Sequence, residues 1–400
     1  MDRSAVDAFL ETARRFAARE IAPMLEVEDR DGDLSKIPAL LQMAEQAGIL
    51  AGADPDSPGH EFGVWGKAAD ADGPLASVLV LAELARGCAG VASAVHFAGL
   101  GARELDNAGS KAGRAAVALF EPEWRLTWTG VDDPHMPGVS ICTSIVKEKN
   151  GDSVLQGRKA FVYAPPGTEG FVVYAAGSDQ WERCYVSADA KGLAIEDAGQ
   201  RTGLAVCACS HLKIDDVPSS MFTGLPAVNP SSFLIRLWLG ISAIALGNAQ
   251  AALVSARQYA RERYQGGDEI HRHAAVRLLV GDAGSRVSAA RAHLLSAVET
   301  ADPGSTSAPE GGKGRGNAAV REALISAAAA KLRIGTDCVQ AVTDCLQVLG
   351  GYGYMEDYRM EKRLRDALTL QSMCVRPDDL RLLLAESGEE EPQTVERGRR

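Results

Sequence analysis

The chain has 400 residues, of which 46% are hydrophobic, a formal net charge of -11 and a pI near 5.3. That apolar content can bury one large core or two to three smaller ones, and the acidic balance argues against nucleic acid or an anionic membrane as the main partner. Met1 to Met24 alternates charged and apolar residues, unlike a secretory leader, so a cytoplasmic location is expected.

The first third reads as helix. Val6, Phe9, Leu10, Ala13, Phe16, Ala17 and Ile21 recur mostly three or four residues apart, which sets them on one stripe. Ala53 to Gly73 is rich in Asp, Gly and Pro and reads as loop. A second helical block, Leu75 to Arg86, continues past the small residues Gly87 to Gly90 towards Leu105. The character then changes near Val117. Short β-prone runs follow, Val139 to Lys147, Val154 to Ala164, Gly170 to Ala176, Arg183 to Ala188 and His211 to Val217, separated by Gly, Pro and Asp. With no helical pattern between them, an antiparallel sheet or small barrel is expected rather than βαβ units.

From Ser232 to about Glu386 long alanine-rich helices return. The longest apolar run, Leu237 to Leu246, is too short for the ~20 residues that span a bilayer, so it reads as a buried helix. Asp302 to Asn317 holds seven glycines and prolines and is expected to be a flexible loop, and Gly388 to Arg400 a charged, disordered tail. The domains expected are therefore 1–116 helical, 117–228 β and 229–387 helical, with the tail at 388–400. The eight cysteines show no zinc spacing and read mostly as small buried hydrophobes.

Four pieces carry more specific information: FAAREIAP from Phe16, LQGRKAF from Leu155, YARERYQGG from Tyr259, and LQVLGGYGYMEDYRMEKRLRDALTLQ from Leu346 to Gln371. Together, and in this order, they resemble the FAD-dependent acyl-CoA dehydrogenases over nearly the whole chain. The resemblance implies a mostly α fold with a central antiparallel β domain. An N-terminal helical domain, a middle β-barrel or sandwich and a C-terminal four-helix bundle would follow one another. It also implies FAD and α,β-dehydrogenation of an acyl-CoA thioester.

In YARERYQGG the resemblance assigns Arg263, with Gln265, to the FAD pyrophosphate. A guanidinium suits that task because its fork of donors grips two phosphate oxygens; the alternative is that Arg261 and Arg263 only offset a helix dipole. Gln347, Gly350, Gly351 and Gly353 form the second cofactor element, where glycines let the backbone approach a nucleotide. In the family both elements reach across a subunit boundary to a flavin held mainly by a neighbouring chain.

The elements a family member applies to its own flavin are altered here. Leu119 to Arg125 keeps only Glu121-Pro122 of a TEPxxGSD-like loop, Phe161-Val162-Tyr163 stands where the family reads WxT, and Met373-Cys374-Val375-Arg376 stands where it reads YEGT. The catalytic glutamate, which must reach the substrate α-proton, is thus replaced by Cys374. The other family location for that base, the residue before Arg236, holds Ile235.

Cys374 could act as base or nucleophile if a cation such as Arg376 lowered its pKa, or it could be a buried inert thiol. His96 is a further acid/base candidate, with a structural role as its alternative. Asp378 and Asp379 read as helix caps, and His271-x-His273 does not justify a metal site.

The expected function is that of a non-catalytic subunit which completes the FAD site of a catalytic acyl-CoA dehydrogenase-like partner, the lone chain being inactive. An acyl-CoA substrate and an electron-transfer flavoprotein are the further partners implied. Two alternatives stay open, a self-contained flavoenzyme with changed chemistry (oxidase, monooxygenase or non-redox elimination) and a non-enzymatic assembly scaffold.

Overall fold

Helices occupy both ends of the chain and strands its middle. The computed structural model describes residues 3–24, 34–51, 63–66, 74–106, 115–119, 126–127, 138–139, 143–147, 153–164, 167–176, 181–226, 230–302 and 313–387.

The apolar stripe of the N-terminus forms α1 (Arg3–Phe16) and a π turn at Ala17–Ile21, burying Phe9, Ala13, Phe16, Ala17 and Ile21. After α2 (Ile37–Gln46) come α3 (Leu75–Gly87) and α4 (Ala89–Asp106), separated at the extended Cys88. Ala53–Gly73, expected as loop, falls largely outside the described residues.

Strands β1 (Ala115–Ala118), β2 (Leu126–Thr127), β3 (Gly138–Val139), β4 (Ser144–Lys147), β5 (Ser153–Val162), β6 (Gly170–Ala176), β7 (Trp181–Ser187), β8 (Leu193–Asp197), β9 (Ser210–Pro218) and β10 (Phe222–Leu225) follow. The main curled sheet runs β10-β7-β6-β4-β5-β9-β8, with β1 joined to β6. Most of its pairs are antiparallel as the turn spacing implies, but β1 and β4 each meet β6 in parallel. The long excursions between those strands in the chain make such crossovers possible.

GFVVYAA, strand β6, is buried along nearly its whole length because its two faces serve different cores. Phe171, Val173 and Ala175 face the interior of the sheet, whereas Val172 and Tyr174 join the core formed by the helices.

At the C-terminal side α5 (Pro230–Glu262) is followed by a small hairpin of β11 (Tyr264–Gln265) and β12 (Asp268–Glu269). Then come α6 (Ala274–Thr300), α7 (Lys313–Leu349), α8 (Met360–Ser372) and α9 (Pro377–Ser387). Helix α5 is the one described helix long and apolar enough to cross a membrane, yet 89% of its apolar window is buried inside the fold, as expected of a core helix. The backbone at Lys313–Asn317, expected as loop, is helical, since the cooperative alanine-rich helix α7 extends back over it. Most of the Asp302–Asn317 segment and the 388–400 tail lie outside the described residues.

One buried polar network ties the parts together. Glu104 at the end of α4 pairs with Nη1 of Arg183 on β7 and accepts from the Tyr174 hydroxyl on β6 at 2.9 Å. Arg183 Nε donates to the Pro226 carbonyl at 3.0 Å, just before α5.

Candidate functional site

Arg263, the second arginine of YARERYQGG, sits where α5 gives way to the β11-β12 hairpin. Gly266 and Gly267 make its two-residue turn with φ of +70° and +90°. Across from it, α7 stops at Leu349 and Gly350 (φ +57°) starts a 3₁₀ turn through Tyr354. Between them lies a cleft of about 740 Å³ that brings together Arg263, Gln265, Gln347, Gly350 and Gly351, flanked by Tyr259 and Tyr352. Gly353 does not line it. Any Cβ there would lie 2.6 Å from the Leu346 carbonyl, so this glycine lets the turn close against α7.

The Arg263 guanidinium carbon lies 5.2 Å from the centre of the Tyr352 ring, and Nη2 donates to Gln265 Oε1 at 3.4 Å. Its Nε is buried without a hydrogen-bond partner. Leaving such a donor unmatched costs ~1–3 kcal/mol, so the cleft is prepared for an anionic oxygen, and a phosphate-bearing cofactor fits it. Exposed Met355 also lines the cleft. His273 turns its Nε2 to the Gln265 carbonyl at 2.8 Å, which fixes the hairpin to the start of α6.

The second half of the signature is structural up to its end. Asp366 accepts from the Leu204 N–H at 2.7 Å and from Lys362 Nζ at 2.6 Å, while Arg365 Nη1 donates to the Thr202 carbonyl at 2.8 Å. This Arg-Asp pair holds a loop of the β domain against α8.

Beyond the end of α8, Cys374 adopts a left-handed conformation with φ of +64° and packs against the helical core. Burial pushes its thiol well above the ordinary cysteine range, against the pull of Lys331. Arg376, the expected source of positive charge, turns instead to Asp379, with Nη2 2.6 Å from Oδ1 at the start of α9. Asp378 pairs with Arg381 at 2.6 Å.

Sequence reasoning missed Lys331. This buried residue donates to the carbonyls of Leu370 and Gln371 at 2.7 and 2.9 Å, satisfying two orphan acceptors at the end of α8. Burial lowers its pKa to about 8. Its signal was available, since Leu324, Ala327, Ala328, Lys331, Ile334 and Cys338 form one buried stripe with a single charged member.

Near Cys374 lies the Phe161-Val162-Tyr163 segment. Phe161 is exposed with φ of +52°, whereas Tyr163 is buried and stacked on Phe97 of α4, with ring centres 4.4 Å apart and planes at 11°. Cys207, Cys209 and Cys374 all lie close enough to the Tyr163 hydroxyl to bear on its ionisation, and burial raises its pKa well above the usual value. Of the TEPxxGSD-like segment, Phe120 to Arg125 lies outside the described residues.

His96 is sealed in the core of α4 and α5. The Trp65 indole donates to its Nδ1 at 2.9 Å, and the absence of a side chain at Gly240 makes room for the ring, since a Cβ there would lie 2.1 Å from Cε1. Burial lowers its pKa to about 3, so it stays neutral and packs as a core side chain. An unfolded chain takes up a proton near the ordinary value of 6.5 and the folded one does not. Acidification from pH 6.5 towards 3 therefore removes stability. The stability advantage of the native protein over His96→Leu is expected to narrow across that window in denaturant titrations; a constant gap would contradict a sealed neutral imidazole.

Comparison with known proteins gives this geometry its context. The acyl-CoA dehydrogenase N-terminal domain family matches residues 4–117, and the acyl-CoA dehydrogenase C-terminal domain family matches 236–373. Cyclohexane-1-carbonyl-CoA dehydrogenase of Geobacter metallireducens is 27% identical over 374 residues, covering 90% of this chain and 91% of that protein. The caffeyl-CoA reductase-Etf complex subunit CarC of Acetobacterium woodii is 27% identical over 223 residues, 53% of this chain and 55% of that one. Among solved structures, an acyl-CoA dehydrogenase complexed with FAD from Bacillus anthracis superposes with a TM-score of 0.77 at 20% identity, covering 96% of this chain and 68% of that chain. By the matches to both its domains, this chain is a member of the acyl-CoA dehydrogenase family.

Proposed function

We propose that the chain is the non-catalytic subunit of a heteromeric acyl-CoA dehydrogenase, completing with Arg263, Gln265, Gln347 and the Gly350–Gly351 turn a flavin site whose remainder belongs to a catalytic partner. One observation carries this reading. The cleft suited to a cofactor phosphate is open and holds an unmatched Arg263 Nε, whereas Tyr163, which the family resemblance sets at this chain's own flavin contact, is stacked on Phe97, and Cys374, at the position of the family base, packs against the helical core.

When bound, the flavin supplies the hydride acceptor for α,β-dehydrogenation of an acyl-CoA thioester. In that reaction Arg263 neutralises phosphate charge, Tyr352 keeps the guanidinium in place and Gln347 offers its amide from the end of α7. The proton abstraction falls to the partner, because neither Cys374, whose thiol is pushed up by burial, nor His96 is placed or poised for it. The relative that belongs to a complex with Etf supports an assembly of unlike chains and an electron-transfer flavoprotein as the acceptor class.

Purifying the chain alone and with the product of a neighbouring dehydrogenase gene tests the proposal. Flavin absorbance is expected only in the joint preparation, with fewer flavins than chains. Stoichiometric FAD on the lone chain would overturn it.

A further inference from the structure

A second cleft, of about 890 Å³, opens between α1, α3, α5 and α6 and shares no residue with the Arg263 cleft. Its volume falls within the roughly 300–1,000 Å³ of small-molecule sites. Buried Leu246, Leu253 and Leu294, with half-buried Leu10 and Leu79, supply an apolar interior. Its charged residues are mostly arginines, Arg14, Arg86, Arg257 and Arg291, with Asp7 and Glu83 as the acids.

The pairing of these charges is lopsided. Arg14 and Arg86 share one carboxylate, that of Glu83, at 3.2 and 3.5 Å. Arg257 and Arg291 have no ion-pair partner among the described residues. In a chain of net charge -11, a positive excess over an apolar cavity is a local arrangement and not a reflection of overall composition.

We propose that this cleft binds an amphipathic anion, a single acyl chain ending in a carboxylate or phosphate group. The chain lies along the leucines of α1, α3, α5 and α6, which removes its methylenes from water. The anionic head meets Arg257 and Arg291, whose guanidinium forks suit either oxyanion. Val254, half exposed beside Leu253, stands where a larger side chain would obstruct entry.

Isothermal titration of the full-length chain, with any co-purifying partner retained, tests this with palmitate, palmitoyl lysophosphatidic acid and coenzyme A alone. Saturable binding of either acylated probe but not of coenzyme A is expected. Both Arg257→Glu/Arg291→Glu and Val254→Trp are expected to weaken it at least ~10-fold. All three positions are exposed, so circular dichroism of the variants should match the native protein. Binding of palmitate alone identifies the carboxylate source and of palmitoyl lysophosphatidic acid alone the phosphate-bearing one, and either supports the site. No saturable binding, or unchanged affinity in both variants, overturns it. Loss of a co-purifying chain with ligand affinity intact also overturns it, in favour of a protein-binding surface.

Discussion

Glu104→Ala is expected to lower the unfolding free energy by ~3–5 kcal/mol, the usual consequence of deleting one member of a buried ion pair. The Arg183 and Glu104 side chains are 0% and 3% exposed, so neither can recruit water when the other is lost. Removing the carboxylate takes away the ion-pair partner of the Arg183 guanidinium, which still donates to the Pro226 carbonyl, and costs the Tyr174 hydroxyl its bond to Glu104. Because Glu104 belongs to α4, Arg183 to β7 and Pro226 to the approach to α5, the damage is shared by helices and sheet. Denaturant titration read by both tryptophan fluorescence and circular dichroism measures it. Glu104→Leu with Arg183→Met provides the control: replacing both charges by apolar groups is expected to recover much of the loss. A single-variant cost below ~1 kcal/mol would show that the network does not hold the parts together.

Arg263→Ala is the functional counterpart. A charge-assisted hydrogen bond to phosphate contributes ~1.5–3 kcal/mol, so flavin affinity of the joint complex is expected to fall roughly 10–100-fold. Gln347→Ala is expected to fall less, since it loses a neutral contact. FAD titration of the flavin-stripped complex measures both. Stability should be little changed, because Arg263 is only half-buried, its side-chain hydrogen bond to Gln265 is long, and its backbone bonds to Tyr259 and Ile270 survive the substitution. Unchanged flavin affinity in Arg263→Ala would remove this chain from the cofactor site.

Much of this was legible in the residues and some was not. The helix, sheet, helix order followed from local periodicity, and the strand Gly170–Ala176 was read with its observed limits. The parallel pairings of β1 and β4 with β6 were not, because nothing local in a strand encodes a partner more than thirty residues away, or its direction. The cofactor residues drew their meaning from a recognisable segment, and five of the six meet in one cleft. Gly353 belongs to the turn instead, a distinction that depends on the path of α7 and not on the run of glycines. Arg376 lies two residues from Cys374 in sequence but turns away towards Asp379, while Lys331, forty-three residues earlier, is the cation whose field reaches the thiol. Charge placement at the end of a helix is decided by tertiary packing, and adjacency in sequence is a poor guide to it.

The apolar length of α5 has a consequence for the order of synthesis. A segment of this size and hydropathy, leaving the ribosome bare, is open to capture by a bilayer or by another nascent chain. Helices α3 and α4, which pack against it in the finished fold, precede it in the chain. Part of its cover therefore exists before α5 emerges, and only the sides facing α6, α7 and α8 must wait for translation to finish.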